Sequence, residues 1–344
     1  MSKRNLYLLS LAVVVLIGLA LVQKSSHDRS TSASDTSPVL GTVFAADEIN
    51  RVLVSGGADS TEVVLERLPD HWVARSAWNH PVDQRKIDEL LATLDGLTGQ
   101  YRSDSAAILA DYGLGPDAEP VTLTLYGKEW EPVYTLEIGR KPASGAGAFV
   151  RDPASNAVFL TRANVLGKLG MHAGPAGPEN KFFLDLKVFD CKREDIEAIT
   201  LHDGNRTLAM EKVFTAPAAA EGDTVTAEPD RSTWEWVLVE PERRPLAKTK
   251  VDGIMNALTN IQASDIDDPK TPMEDYGLWK AARRVEVALA DGTDFELRVG
   301  ELREHDAGQK DYFVMTSRDR TIWTLRDYKI DQIFKQLEDL LPES

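Results

Sequence analysis

At 344 residues, with 42% hydrophobic and 27% charged residues, the chain is long enough for two ordinary domains and has the composition of globular protein. Its formal net charge of −16 repels a phosphate backbone or an anionic surface, which argues against a nucleic-acid partner. The single cysteine, Cys191, excludes an intrachain disulfide and a cysteine-based metal site, and a lone thiol ordinarily serves as a small buried hydrophobe.

The amino terminus predicts a membrane anchor. Lys3 and Arg4 precede an apolar run from Leu6 to Val22, 17 residues, at the short end of what crosses a bilayer core. The run ends in Leu21-Val22-Gln23, a poor cleavage site, and no cysteine follows it to carry a lipid. Residues 1–23 therefore read as an uncleaved signal anchor, with a cleaved signal peptide as the alternative. By the positive-inside rule its basic end stays in the cytoplasm and the rest of the chain lies outside. Residues 24–43, rich in Ser, Thr and Asp, read as a flexible tether with a reach of about 25 Å.

From Ala45 the pattern alternates. Ile49, Val52 and Val54, then Glu62 to Leu68, then His71 to Ala74 predict an antiparallel meander with turns at Gly and Asp. Ile87, Leu90, Leu91, Leu94 and Leu97 then fall on one face of a helix, with Pro81 and Asp83 ahead of it. A short helical stretch, Ser105 to Ala110, runs into Asp111-Tyr112-Gly113-Leu114. Strands follow at Val121 to Leu125, Val133 to Ile138, Phe149-Val150 and Val158 to Leu160, with a closing helix at Asn164 to Leu169.

The order then recurs. Asp275-Tyr276-Gly277-Leu278 repeats the four-residue motif at an offset of 164 (275 less 111). Trp236 matches Trp72 at that offset, and Val251, Ile254, Met255, Leu258 and Ile261 reproduce the helical spacing. Between the copies, Phe182 to Phe189 reads as a strand or buried connector. Phe214 to Ser232 reads as an inserted loop, and Ile330, Ile333, Phe334, Leu337 and Leu341 as a final helix. Few helices among hairpin-linked strands predict an α+β fold: a tandem duplication of an antiparallel-sheet unit, with one long amphipathic helix and a shorter closing helix per copy. The first repeat domain is set at 44–190 and the second at 191–344.

Catalytic signatures are missing from this pattern. None of the six histidines falls in a metal-ligand spacing, and there is no nucleophile elbow and no phosphate loop. No catalytic, cofactor or metal residue is assigned, and no cofactor is implied. The recurring motif reads as structural: Gly113 and Gly277 as left-handed helix stops, Leu114 and Leu278 as their packing contacts, Asp111 and Asp275 as caps, Tyr112 and Tyr276 as core. Trp78, Trp130 and Trp279 have no counterpart in the other copy, so if exposed they are the better candidates for a partner surface.

The meander with its Trp, the amphipathic helix, Asp-Tyr-Gly-Leu and the strands ending in Ile138-Gly139 and Val299-Gly300 resemble a bacterial family known as domain of unknown function 4340, over about residues 45 to 340. The resemblance implies an apolar amino-terminal segment and an association with membrane transport components, including ABC-type systems. It implies no established activity and no site residues. The expectation is a single-pass protein of the bacterial inner membrane, a binding or scaffold module facing the periplasm with a protein partner in the envelope. A carboxylate-dependent hydrolase of an envelope polymer and a structural dimerisation module are the alternatives.

Overall fold

The computed structural model describes residues 36–41, 43–57, 61–115, 118–143, 145–175, 177–214, 234–305 and 308–342. The proposed anchor, most of the tether and the insertion at 215–233 lie outside the described residues. Among the described residues no helix is long and apolar enough to cross a membrane. The chain forms two compact units. One comprises the residues up to Trp72 with Gln84–Glu179, and the other Val73–Asp83 with Asn180–Ser344. Both are built on antiparallel sheet with few helices.

In chain order the first half places β1 (Thr36–Pro38), β2 (Arg51–Gly56), β3 (Thr61–Arg67), β4 (Trp72–Ala74), β5 (His80–Pro81), helix α1 (Gln84–Leu94), β6 (Thr98–Ser103), β7 (Val121–Tyr126), β8 (Pro132–Ile138), β9 (Ala148–Arg151), β10 (Val158–Thr161) and α2 (Val165–Lys168). The second half places α3 (Asn180–Phe183), β11 (Ile196–Asp203), β12 (Arg206–Phe214), β13 (Trp234–Glu240), β14 (Arg244–Pro245), α4 (Lys248–Thr259), β15 (Asp265–Asp267), β16 (Arg283–Leu289), β17 (Asp294–Glu304), β18 (Lys310–Thr316), β19 (Ile322–Arg326), α5 (Asp327–Ile333) and α6 (Leu337–Leu340).

The strand order β6-β10-β9-β8-β7-β2-β3 in the first unit is repeated as β15-β19-β18-β17-β16-β11-β12 in the second. The hairpin β4–β5 pairs Val73 with Pro81 and Ala74 with His80. Its equivalent β13–β14 pairs Val237 with Pro245 and Leu238 with Arg244, each residue 164 positions on. Each long helix buries one stripe. In α1 the stripe is Ile87, Leu90, Leu91 and Leu94, and in α4 it is Val251, Ile254, Met255 and Leu258. Burying a Leu or Ile side chain contributes about 1.5–3 kcal/mol, so these stripes and the inward faces of the strands hold each unit together. Trp72 and Trp236 are buried at equivalent places.

Three readings of the sequence are corrected. Within the stretch read as tether, Thr36–Pro38 form β1 and pair with Thr98–Gln100 of β6. No apolar alternation announces this strand, because backbone pairing makes it and only Val39, buried over Gly99, fixes it. The segment after Glu179 begins as a helical turn, α3, before continuing as a buried connector through Leu184, Val188 and Phe189. The final helix is broken: α5 stops at Ile333, and Gln336, extended at ψ 156°, starts α6 with a reciprocal cap to Asp339. That break shifts the helical phase, so Leu340 is buried in place of Leu341.

Candidate functional site

The repeated motif is a helix stop made by the backbone. In the first copy a 3-10 turn, Ala106–Tyr112, ends at Gly113 with φ 69°. The Gly113 N–H donates to the Ala110 carbonyl at 3.0 Å and the Leu114 N–H to the Leu109 carbonyl at 3.0 Å, the two bonds of a Schellman cap. In the second copy Gly277, φ 68°, donates to Glu274 at 3.0 Å and Leu278 to Met273 at 2.8 Å. Leu114 packs with Leu109 in one cluster and Leu278 with Met273 in the other, the contact that accompanies this cap. The tyrosine rings are held alike: Tyr112 lies 4.7 Å from Phe149 and Tyr276 lies 4.7 Å from Phe313.

The motif also explains the aliphatic-Gly step. The Tyr112 carbonyl accepts from the Arg140 N–H at 2.9 Å, and the Tyr276 carbonyl from the Glu301 N–H at 2.8 Å. A Cβ on Gly139 would stand 2.3 Å from the Tyr112 oxygen, and one on Gly300 2.1 Å from the Tyr276 oxygen. Only glycine admits these carbonyls. The expected role of the aspartates is corrected: the Asp111 and Asp275 side chains are exposed and make no hydrogen bond or ion pair among the described residues. The turn is closed instead by the backbone N–H bonds of Gly113 and Leu114 and of Gly277 and Leu278.

The copies differ in what the tyrosine hydroxyl touches. Tyr276, 5% exposed, places its hydroxyl 2.9 Å from Asp267 Oδ1 and 2.9 Å from the Asp268 carbonyl, sharing one proton between them. Burial raises its pKa, so it remains a neutral donor. The other Asp267 oxygen accepts from Arg303 Nη1 at 2.8 Å, and the Arg303 guanidinium lies 4.9 Å from the Phe313 ring centroid. The Tyr112 hydroxyl has no such partner among the described residues.

Asp267 lines a cavity of about 240 Å³ within the second unit. The β4–β5 hairpin supplies Trp78 from its turn and Pro81 from β5, β15 supplies Ile266 and the loop after it Pro269, and the turn before β19 supplies Arg320. His80 also lines it. Its Nε2 donates to the Asp185 carbonyl at 2.8 Å, and its ring meets Trp323 edge to face at 4.9 Å. Burial lowers the His80 pKa, which keeps the imidazole neutral in the neutral pH range. Arg320 is exposed and has no hydrogen bond or ion pair among the described residues. Its neighbour Asp319 is turned back to accept from the Thr321 N–H at 2.9 Å.

All three unshared tryptophans are exposed, Trp78 by 42%, Trp130 by 50% and Trp279 by 56%. Trp130 stands at the β7–β8 turn with the Arg51 guanidinium 5.3 Å from its ring centroid, so one face is taken. Trp279 follows Leu278 of the second motif. Trp78 combines exposure with a place in a cavity wall that also carries the unpaired Arg320. Sequence reasoning singled out Trp78 and missed Asp267 and Arg320.

Other candidate chemistry is tied up in pairs. His202 lies 3.2 Å from Thr207 Oγ1 and 3.3 Å from Glu286, and His305 Nε2 donates to Asp311 Oδ2 at 2.9 Å. In a second cavity of about 400 Å³ on the sheet face of the second unit, Glu286 pairs with Arg284 and Glu296 with Arg298. No group of three or more His, Cys, Asp or Glu able to hold a metal occurs among the described residues. Burial pushes the Cys191 thiol up to about 11, which makes it a poor nucleophile.

The family model described as a domain of unknown function (DUF4340) matches residues 72–231 and again 236–343. The two matches start at the equivalent tryptophans of β4 and β13. No curated protein and no solved structure matches the chain.

Proposed function

The chain belongs to the DUF4340 family in two tandem copies, and we propose that it is a binding module of the cell envelope. Its amino-terminal segment holds it in the inner membrane, its folded units face the periplasm, and it engages a protein partner belonging to a transport or envelope complex. The observation that carries this reading is Trp78, exposed at the mouth of a cavity beside an unpaired arginine. Tryptophan and arginine dominate the energetics of protein interfaces, and a bulky aromatic left in water has no role in the core. The anchor is supported by the apolar run after Lys3 and Arg4.

Site-specific photocrosslinking in cells tests the proposal. A photoreactive residue placed in turn at Trp78, Trp130 and Trp279 of the full chain is expected to give an adduct of discrete mass from at least one position. Mass spectrometry should identify the adduct as an envelope protein. No discrete adduct from any of the three would defeat the binding-module reading. Alkaline extraction of membranes tests the anchor: the full chain should stay with the lipid, and a chain beginning at Thr36 should be released.

A further inference from the structure

We infer that the cavity beside Trp78 is an anchor pocket for a protein segment that inserts one apolar side chain and presents a carboxylate next to it. The inference rests on the binding-module reading and deepens it. At about 240 Å³ the cavity is smaller than the roughly 300–1,000 Å³ of sites for drug-sized molecules, so it suits a single side chain of a larger partner. Its walls supply apolar contact through Ile266, Pro81 and Pro269.

The charge at the site selects the flanking group. Asp267 has both oxygens engaged, one by Tyr276 and one by Arg303, so it presents no free carboxylate to a partner. Asp319 accepts from the Thr321 amide. His80 gives its Nε2 proton to the Asp185 carbonyl. Asp319 keeps its negative charge but does not line the cavity; of the charged side chains that do, Asp267 and Arg320, the one left open is the Arg320 guanidinium, which is exposed and unpaired. A guanidinium offers a planar fork that matches a carboxylate with two parallel hydrogen bonds. An acidic residue beside the inserted side chain satisfies it, whereas a basic one is repelled.

The hairpin tip shows that Trp78 is held there against local preference. Trp78 has φ 52° and ψ 31°, and the Asn79 N–H donates to the Ala74 carbonyl at 3.0 Å, which puts Trp78 where a helix-ending turn usually carries glycine. A side chain with a Cβ is disfavoured in that region, because the Cβ crowds the following carbonyl oxygen. Held strain of this kind clusters at ligand clamps, where the side chain's position is what the strain secures.

The test is a selection on the full chain in detergent micelles against a library of random 12-residue peptides displayed on phage. Enriched peptides are expected to share an Asp or Glu within four residues of a large apolar residue. Arg320→Glu, an exposed substitution that should leave the thermal midpoint unchanged, is expected to weaken them at least tenfold. Trp78→Ala should weaken them comparably, and Trp78→Phe should retain part of the affinity. Neutral or basic winners, no enrichment, or binding to Arg320→Glu within twofold of the parent would each overturn the inference. Photocrosslinks at Trp130 or Trp279 alone, or Trp78 crosslinks that persist in Arg320→Glu, would leave the binding module standing and remove this pocket from it. Absence of every crosslink would remove both.

Discussion

Gly139 and Gly300 are fixed by another residue's carbonyl and not by their own backbone angles. Replacing either with Ala drives a methyl to within 2.3 Å or 2.1 Å of a tyrosine oxygen that is already hydrogen-bonded, so strand or turn must move. The expected loss is about 3 kcal/mol or more for Gly300→Ala, at the upper end of overpacking costs. Gly113→Ala meets the left-handed penalty of about 1–2 kcal/mol and also crowds the Arg140 amide at 2.8 Å. Chemical denaturation of the variants checks this, and a Gly300→Ala protein as stable as the parent would refute the close-approach account. His80 makes the second prediction at this scale. Its folded pKa lies below its ordinary 6.5, so the unfolded chain takes the proton first. The associated stability is fully present above pH 6.5 and is lost as the pH falls through the folded value. Thermal unfolding at pH 7.5 and 5.5 should show a smaller acid-induced drop for His80→Gln than for the parent, and equal drops would contradict the assignment.

At the scale of the element, the repeated turn separates packing from charge. Leu278 is fully buried among Tyr276, Met315 and Ile322, so Leu278→Ala should cost about 2–5 kcal/mol. Asp275, whose side chain is exposed and unbonded, should tolerate Ala within about 0.5 kcal/mol. A large loss for Asp275→Ala, measured by urea unfolding, would restore the capping role that the geometry denies. The long helices and the glycine stops were legible in the sequence because their signals are local: a 3.6-residue stripe, or a glycine followed by a leucine. β6 and β15 were not legible. Thr98–Ser103 buries only Gly99, and Asp265–Asp267 buries only Ile266, so neither shows an alternating face and neighbouring strands fix both. The candidate site was half legible. Trp78 stood out because the other copy lacks it, but its cavity joins residues 77–81 to 266–269 and 320–321, and no pattern within one stretch links them. Arg320 sits in an ordinary polar turn, and only the structure reveals that it lacks a partner.

For the whole molecule, the duplication in sequence and the division in space do not coincide. Val73–Asp83 precedes α1 of the first repeat, yet it packs with the second unit. There the Asp83 N–H donates to the Phe183 carbonyl, the Asp185 N–H donates to the Pro81 carbonyl, and Val82 bridges Leu184. A fragment spanning 180–344 should therefore melt below the full chain's second unit. A synthetic peptide of residues 73–83 added in excess should raise its midpoint in proportion to the logarithm of peptide concentration. A midpoint indifferent to the peptide would show that the segment is dispensable. The same feature sets a schedule for synthesis. Ribosomes add about 5–20 residues each second, so the partners of Val73–Asp83 around Asp185 emerge several seconds after it, and the closing strands at the end of the chain later still. Through that interval the tip bearing Trp78 lacks the residues that complete its cavity. The cavity is therefore finished last, once the residues around Arg320 have been made.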